Sequence, residues 1–417
     1  MIYWINQYAL PPGRAGGTRH FEFSVILQEL DVPVNVIASD FDLNTREFFV
    51  RKRPSDLSVK ETTHQGVRFS WVYSSPYRGN DSRRALNMIS FAFFLFLHLL
   101  FVKTTRETIF IGSTPQIFAA LATLLAAKAR GIPFILEVRD LWPESLTDLT
   151  GKEGLQAKLI RRIAHFLYHQ SQRIIVLAKS NIEFLNRNYQ VPEEKIAYVP
   201  NSVDFVKFQR SSAGHIRQRI PAGRFVVVYA GAHGLANDLS TVLQAAELLQ
   251  QKDPDVLFIL VGNGVEKANL LQEAQTRKLT NVDFWDAIQK EDIPVLLQTA
   301  QVGLLTLKDA PVFRFGISPN KFFDYMSMGL PVLTNVQGEV RNVVETLGNG
   351  VAVAPEDPQA LADGLVDLKR RLHHDPDLGK SGISHVEQHH NRRKLVFELK
   401  KLFEEVRSSN ATSQKTV

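Results

Sequence analysis

The sequence predicts an α/β protein of two doubly wound parallel-sheet domains, and three observations carry that expectation. Short, almost unbroken apolar runs alternate with helix-length segments along the chain, the pattern of parallel strands covered on both faces. At 417 residues the chain is too long for one ordinary core, so two domains of roughly 200 residues each are expected. Glycine-bearing loops follow the first strand of each half, where ligands of such sheets bind.

Taken in order, Ile2 to Asn6 reads as a strand and Thr18 to Leu30 as a helix, with a second strand at Val34 to Ala38. Thr108 to Gly112, Pro115 to Arg130 and Pro133 to Val138 form a compact βαβ unit. Arg173 to Leu177 is another strand, a helix starts at Ser180, and Lys195 to Val199 closes the first half. In the second half, strands are expected at Arg224 to Ala230, Val256 to Val261, Val282 to Trp285, Val302 to Leu307, Pro331 to Thr334 and Gly350 to Val353. Helices fill the intervals, the last of them from Asp357 to His373. Asn201 to Asp204 and the polar stretch Gln209 to Gly223 mark the linker. The expected domains are 1–203 and 204–390, with a C-terminal helix over 391–408 packing back onto the first.

Composition narrows the function. An apolar content of 44% excludes disorder in either half. The absence of cysteine excludes disulfides and thiolate metal sites and fits a cytoplasmic compartment. Met1-Ile2-Tyr3-Trp4 leads straight into an apolar run without a basic n-region, so secretion is not expected, and the sequon Asn410-Ala411-Thr412 carries no weight. The net charge of +6 is concentrated at Arg51-Lys52-Arg53, Arg83-Arg84, Arg161-Arg162 and Arg392-Arg393-Lys394. No nucleic-acid-binding module accompanies these clusters, so nucleic acid is not an expected partner. Anionic headgroups suit them better, because two clusters border apolar helices; solvated helix faces are the competing reading.

The segment that says most about chemistry is Phe315 to Leu333. Ser318-Pro319-Asn320 leads into a helix, since proline suits the first helical position. Helix N-termini bind anions through free N–H groups and the dipole. Lys321 adds a full positive charge in the first turn, and Asp324 adds a carboxylate one turn on. A phosphate at the helix tip with ribose hydroxyls on Asp324 satisfies all these groups. An ordinary αβ unit with a surface lysine is the bland alternative.

Three other loops belong to the same chemistry. Gly13 to Arg19, with Gly16 and Gly17, either lets the backbone approach a ligand or is merely a tight turn, and it is not a dinucleotide fingerprint. Gly231 in Tyr229 to Leu235, and Gly262 and Gly264 in Val261 to Gly264, end two strands beside the Lys321 helix. His233 reads as a loop hydrogen-bonding residue rather than as a catalytic base. Arg139, Asp140 and Glu144, clustered in Glu137 to Ser145 beside Trp142, are costly to bury unless they meet a ligand or one another. In the functional reading Asp140 faces the reacting group and Arg139 or Glu144 assists; in the structural one, Arg139 centres an ion-pair network.

These motifs together resemble family 4 glycosyltransferases of the GT-B fold, and within them the WbuB-like branch. The resemblance rests on Pro11-Pro12 with Gly16-Gly17 after strand one, Arg139-Asp140-Leu141-Trp142-Pro143-Glu144-Ser145, Val199 to Asp204, and Ser318 to Met326. Gly338-Glu339 and Gly350 to Leu361 complete it. It implies two Rossmann-like domains facing a cleft, the first for the acceptor and the second for the donor. It also implies transfer, with retention, of a sugar from a nucleotide diphosphate donor, UDP-linked and often an N-acetylated deoxyhexosamine. The acceptors implied are polyprenyl-linked or saccharide intermediates of surface polysaccharides. The donor site would comprise Gly16, Gly17, Gly231, Gly262, Gly264, Ser318, Pro319, Asn320, Lys321 and Asp324, and the catalytic set Asp140, Arg139 and Glu144.

The chain departs from the family at several positions. Where most members carry two glutamates eight positions apart, it has Gly316 and Asp324. No basic residue occurs from Ala232 to Leu239, which leaves Lys321 as the principal cation for phosphate. No suitable loop carries a DxD-type pair, so no metal or other cofactor is expected. A nucleotide-sugar 2-epimerase and a binding scaffold without turnover are the alternatives.

Ala85 to Val102 is about as long as a membrane span but contains Asn87, Ser90 and His98. A spanning helix there would sever the first sheet, so an in-plane helix is expected, with Phe91, Phe93, Phe94, Phe96 and Phe101 in lipid. A core helix is the alternative. The expected location is thus cytoplasmic, on the inner membrane face. His373-His374 and His389-His390 read as solvated.

Overall fold

The computed structural model describes residues 1–13, 16–42, 45–78, 82–114, 116–150, 154–205 and 214–413. Arg14, Ala15 and Pro115, the linker positions 209–213 and the end of the tail lie outside the described residues. The chain divides into two compact units, 1–200 with 393–417, and 201–392.

The first unit holds strands β1 (Ile2–Ile5), β2 (Val34–Ser39), β3 (Lys60–His64), β4 (Val67–Val72), β5 (Ile109–Ser113), β6 (Phe134–Val138), β7 (Arg173–Val176) and β8 (Ile196–Tyr198). They form one sheet in the order β3-β4-β2-β1-β5-β6-β7-β8. Every pairing is parallel except β3 with β4. Helices α1 (Arg19–Glu29), α2 (Ser82–Phe101), α3 (Ile117–Arg130), α4 (Glu144–Thr150), α5 (Leu155–Gln170) and α6 (Ser180–Tyr189) cover it.

The hairpin β3–β4 corrects the wholly parallel expectation. Lys60-Glu61-Thr62-Thr63-His64 is a polar, half-exposed edge strand, and edge strands need no apolar signal to pair.

The second unit holds β9 (Phe225–Ala230), β10 (Val256–Val261), β11 (Val282–Trp285), β12 (Val302–Leu305), β13 (Val332–Thr334) and β14 (Gly350–Ala352). All pair in parallel, in the order β11-β10-β9-β12-β13-β14, so the winding reverses between β9 and β12. Its helices are α7 (Gly214–Gln218), α8 (Leu239–Lys252), α9 (Lys267–Thr276), α10 (Ile293–Thr299), α11 (Pro311–Arg314), α12 (Asn320–Ser327), α13 (Glu339–Leu347), α14 (Pro358–His374) and α15 (Lys380–His389).

Two polar stretches turn out to be partly helical. Within the expected linker, α7 anchors itself through Ile216, and α15 buries Val386. The final helix, α16 (Arg392–Ser413), places Val396, Leu399, Leu402, Phe403 and Val406 in the core of the first unit beside Trp4, Val36 and Phe69. Those positions recur every three or four residues, one face of a helix.

Helix α2 corrects the expectation for the aromatic segment. It is the one helix among the described residues long and apolar enough, by length and composition, to cross a bilayer. Asn87, Phe91, Leu95 and Leu99 are buried, and the helix packs on α3 and β4. Phe91 therefore belongs to the core, and Phe94, half-buried, meets Tyr73 edge-on at 5.2 Å. The outward face is Leu86, Ile89, Phe93, Leu97 and Phe101. His390 departs from its reading too: it is buried and stacked on Phe323, whereas His373, His374 and His389 are exposed.

Candidate active site

Helix α12 is seated on the second unit's core by Phe322, Phe323, Tyr325 and Met326, and Tyr325 sets it against the carboxyl ends of β9 and β12. Gly303 makes this close approach possible, since a Cβ there would fall 2.5 Å from the Tyr325 ring. Strands β9 and β12 pair only at Val302–Val227 and Gly303–Val228. Beyond that point the buried Tyr325 hydroxyl accepts from Ala230 N–H at 3.0 Å and donates to Leu304 O at 3.3 Å. It fills the gap at the point where the winding reverses, where open α/β sheets bind ligands.

So placed, α12 sends Lys321 across the end of β9. Its Nζ lies 2.8 Å from Tyr229 Oη, 3.5 Å from Asn237 Oδ1 and 4.0 Å above the Tyr229 ring. A Cβ at residue 231 would sit 2.7 Å from that Nζ, so only glycine leaves the lysine this path. Lys321 keeps some exposed surface, yet its ammonium is so enclosed by protein that burial pushes the pKa down to about 7. Among the described residues no carboxylate pairs with it.

The two glycine loops pack on one another. Gly262, at φ +147°, would place a Cβ 1.8 Å from Gly231 O, and Gly264 would place one 2.2 Å from His233 O. His233 bridges the loops through its backbone, its N–H donating to Asn263 O and its carbonyl accepting from Glu266 N–H. It thus hydrogen-bonds within the loops as expected, but through its backbone; its ring is fully buried and makes no hydrogen bond among the described residues. Burial, with Lys267 and Lys321 nearby, pushes its pKa to about 4, so it is neutral at pH 7.

In the first unit a different arrangement occupies the strand ends. Glu137, at the end of β6, is fully buried. It accepts from Arg19 Nε at 3.1 Å, His20 Nε2 at 3.0 Å, Trp4 Nε1 at 3.2 Å and Ser113 Oγ at 2.5 Å. Burial alone would raise its pKa, but His20 and Arg19 hold it well below the usual carboxylate range. Arg19 also donates to Val199 O and Pro200 O. Two residues on, the N–H of Arg139 donates to Thr114 Oγ1, which in turn donates to Asp140 O.

Both units match known sequence families. Residues 17–202 match the family described as "Glycosyl transferase 4-like domain", and residues 224–371 that described as "Glycosyl transferases group 1". The chain is a family 4 glycosyltransferase of the GT-B fold. It is 25% identical over 304 residues to WcaI of Escherichia coli (strain K12), whose name assigns it as a colanic acid biosynthesis glycosyl transferase; 70% of this chain and 73% of WcaI are covered. Sucrose-phosphate synthase from Thermosynechococcus elongatus superimposes with a TM-score of 0.75 at 17% identity, covering 98% of this chain and 99% of that one. HepE of Anabaena, solved with UDP and glucose, does so at 0.70 and 15% identity, over 97% and 99% of the two chains.

Within this glycosyltransferase, the second-unit residues Gly231, Gly262, Gly264, Lys321 and Asp324 gather around β9, β10 and α12. Ser318 and Pro319 form the turn into α12, where Pro319 is the N-cap and no side chain caps the helix; Asn320 is its exposed first residue. Asp324 is half-buried one turn further on. Gly16 and Gly17 close a loop in the first unit, with Gly17 O accepting from Leu10 N–H at 3.1 Å. Asp140 is exposed just past β6; crowding around the carboxyl raises its pKa while Arg139 opposes the rise. Glu144 is turned to Tyr189, whose hydroxyl donates to it at 2.8 Å, with Arg161 at 3.9 Å.

Sequence reasoning missed Tyr229, Asn237, Arg19 and His20. Tyr229 reads as one more apolar strand residue, and the Arg19–Glu137 pair joins positions 118 apart. The ion-pair network of this region centres on Glu137 and Arg19, not on Arg139.

Proposed function

We propose that this glycosyltransferase transfers a sugar from a UDP-linked donor, held by the second unit, to a lipid-linked or saccharide acceptor of a surface polysaccharide. One observation carries the donor assignment: Lys321 is an enclosed cation whose polar partners, Tyr229 and Asn237, carry no charge. Such a cation costs several kcal/mol unless an anion meets it, and the Tyr229 ring offsets only about 1–2 kcal/mol of that. A diphosphate on Lys321 and the uncapped N–H groups of α12 would offset the rest. The UDP in HepE and the polysaccharide role in WcaI's name support the donor and the acceptor class.

In this reading Lys321 stabilises charge on the departing diphosphate, the group that preorganised donors serve best. Asp324 takes the ribose hydroxyls. Asp140 faces the reacting sugar with Arg139 beside it, while Glu144 keeps α4 in place through Tyr189. The reaction retains configuration, the donor phosphate taking the acceptor's proton, and proceeds without metal. The deciding experiment is calorimetric titration of the wild-type protein and Lys321→Ala with UDP, GDP and ADP, with and without magnesium. Binding of one nucleotide without metal, lost in the variant, is expected. Failure of a folded protein to bind any of them removes the donor assignment, and binding without transfer brings the scaffold reading forward.

The protein works at the inner face of a membrane, docked through the first unit. Helices α2, α3 and α5 contain no acidic residue. Leu86, Ile89, Phe93, Leu97 and Phe101 on α2, Leu125 on α3, and Leu155, Leu159 and Phe166 on α5 are exposed. Arg84, Lys158 and Arg162 lie exposed on the same helices, the apolar and basic mixture that an anionic bilayer selects. Phe93, Leu97 and Phe101 replaced together by Ser should abolish flotation with phosphatidylglycerol vesicles and leave the unfolding midpoint unchanged. A folded variant that still floats excludes α2 from the docking face.

A further inference from the structure

The chain enters the second unit at Asn201, and there it grips Ser318. The Asn201 backbone N–H donates to Ser318 Oγ at 3.0 Å, and its Nδ2 donates to Ser318 O at 2.5 Å. Asn201 is 6% exposed and held from its other side as well. His390 Nδ1 donates to Asn201 O at 3.1 Å. Val203 forms a parallel bridge with Asn391, closed by Val203 N–H to His390 O at 2.9 Å and Arg392 N–H to Val203 O at 3.1 Å. The His390 ring in turn stacks on Phe323 of α12, 3.9 Å between centroids and 24° from parallel. Residues 201–203 and His390 thus brace α12 twice, at the turn that enters it and at a side chain of its first turn.

Ile317 seats that turn on the apolar core, and among the described residues only Asn201 hydrogen-bonds Ser318. Pro319 has no N–H, no side chain caps the helix, and the preceding Gly316 is at φ +132°. The direction in which Asn320 and Lys321 present their N–H groups therefore depends on what holds Ser318, and Asn201 holds it by two bonds. Anion-binding donors work when they are fixed before the ligand arrives.

We propose that Asn201 is a positioning residue for the donor diphosphate: it touches no substrate but sets the pose of the α12 tip through Ser318. The proposal rests on the donor reading above. Its test is calorimetric titration with UDP and with uridine, or with the matching GDP or ADP pair if the wild-type protein selects another base. Asn201→Ala should weaken UDP binding roughly tenfold, while uridine binding changes by less than about twofold. Asn201→Asp, which removes the Nδ2 donor, should do at least as much. The double variant Asn201→Ala/Ser318→Ala should bind UDP more weakly than Asn201→Ala alone, because the first change breaks the Nδ2 bond to Ser318 O and the second the N–H bond to Ser318 Oγ. A folded Asn201→Ala protein whose UDP-to-uridine affinity ratio is unchanged, while Lys321→Ala still loses UDP selectively, overturns the proposal and leaves the donor reading standing. If Lys321→Ala shows no selective loss either, both fall. Should Asn201→Ala not fold, Ser318→Ala reads the same ratio, with roughly a threefold shift expected and no shift overturning the proposal.

Discussion

Glu137 in the first unit and Lys321 in the second are both enclosed charges near the carboxyl end of a parallel sheet, and they are treated in opposite ways. Glu137 is met by four donors, two of them on Arg19 and His20. Lys321 is met by a phenol and an amide. A buried charge whose bonding is complete holds a fold together; one whose counter-charge is missing has kept its bonding capacity for something else. The contrast separates scaffold from site using one physical criterion, the desolvation cost left uncompensated.

The largest effect that could break this comparison lies on the Glu137 side. Glu137→Ala leaves Arg19 buried without its partner and should cost the first unit about 3–5 kcal/mol, measured by urea denaturation. A loss within about 0.5 kcal/mol would mean that Glu137 holds nothing. Lys321→Ala should do the reverse, with the unfolding midpoint held or raised while diphosphate affinity falls by about 2–3 kcal/mol.

A pH series sharpens the difference. In the free protein Lys321 titrates near 7, burial having depressed it, and a bound diphosphate restores the proton. Diphosphate binding should therefore take up a proton, and affinity should fall as pH rises from about 7.5 towards 9 by up to tenfold per unit. Nucleoside affinity should stay flat, and Lys321→Ala should lose the slope; a flat diphosphate profile in the wild-type protein rejects the mechanism. The smallest effect expected is that of Asp324→Asn, about 1 kcal/mol of nucleoside and diphosphate affinity alike, through the ribose contact. Unchanged donor affinity refutes that role.

How much was legible in the sequence follows from which interactions are local. All six strands of the second unit were readable, because buried parallel strands are continuous apolar runs. The tip of α12 was readable too, because Ser-Pro and a first-turn lysine act within a few residues of each other. Strand β3 was not, since it has no apolar residue and its Glu61 and Thr63 face solvent at an edge. The inward face of α2 was hidden for another reason. In Phe91-Ala92-Phe93-Phe94-Leu95-Phe96-Leu97 every position is apolar, and periodicity cannot tell the buried face from the exposed one.

The sequence by itself therefore determined the fold class, the family and the segment that carries the cation, each encoded in neighbouring residues. Only the tertiary structure decided which charges are neutralised. It placed Arg19 on Glu137, Tyr229 under Lys321 and Asn201 on Ser318, the last two pairs 92 and 117 positions apart. Desolvation and counter-charge are properties of what surrounds a group in space, and chain order does not record them.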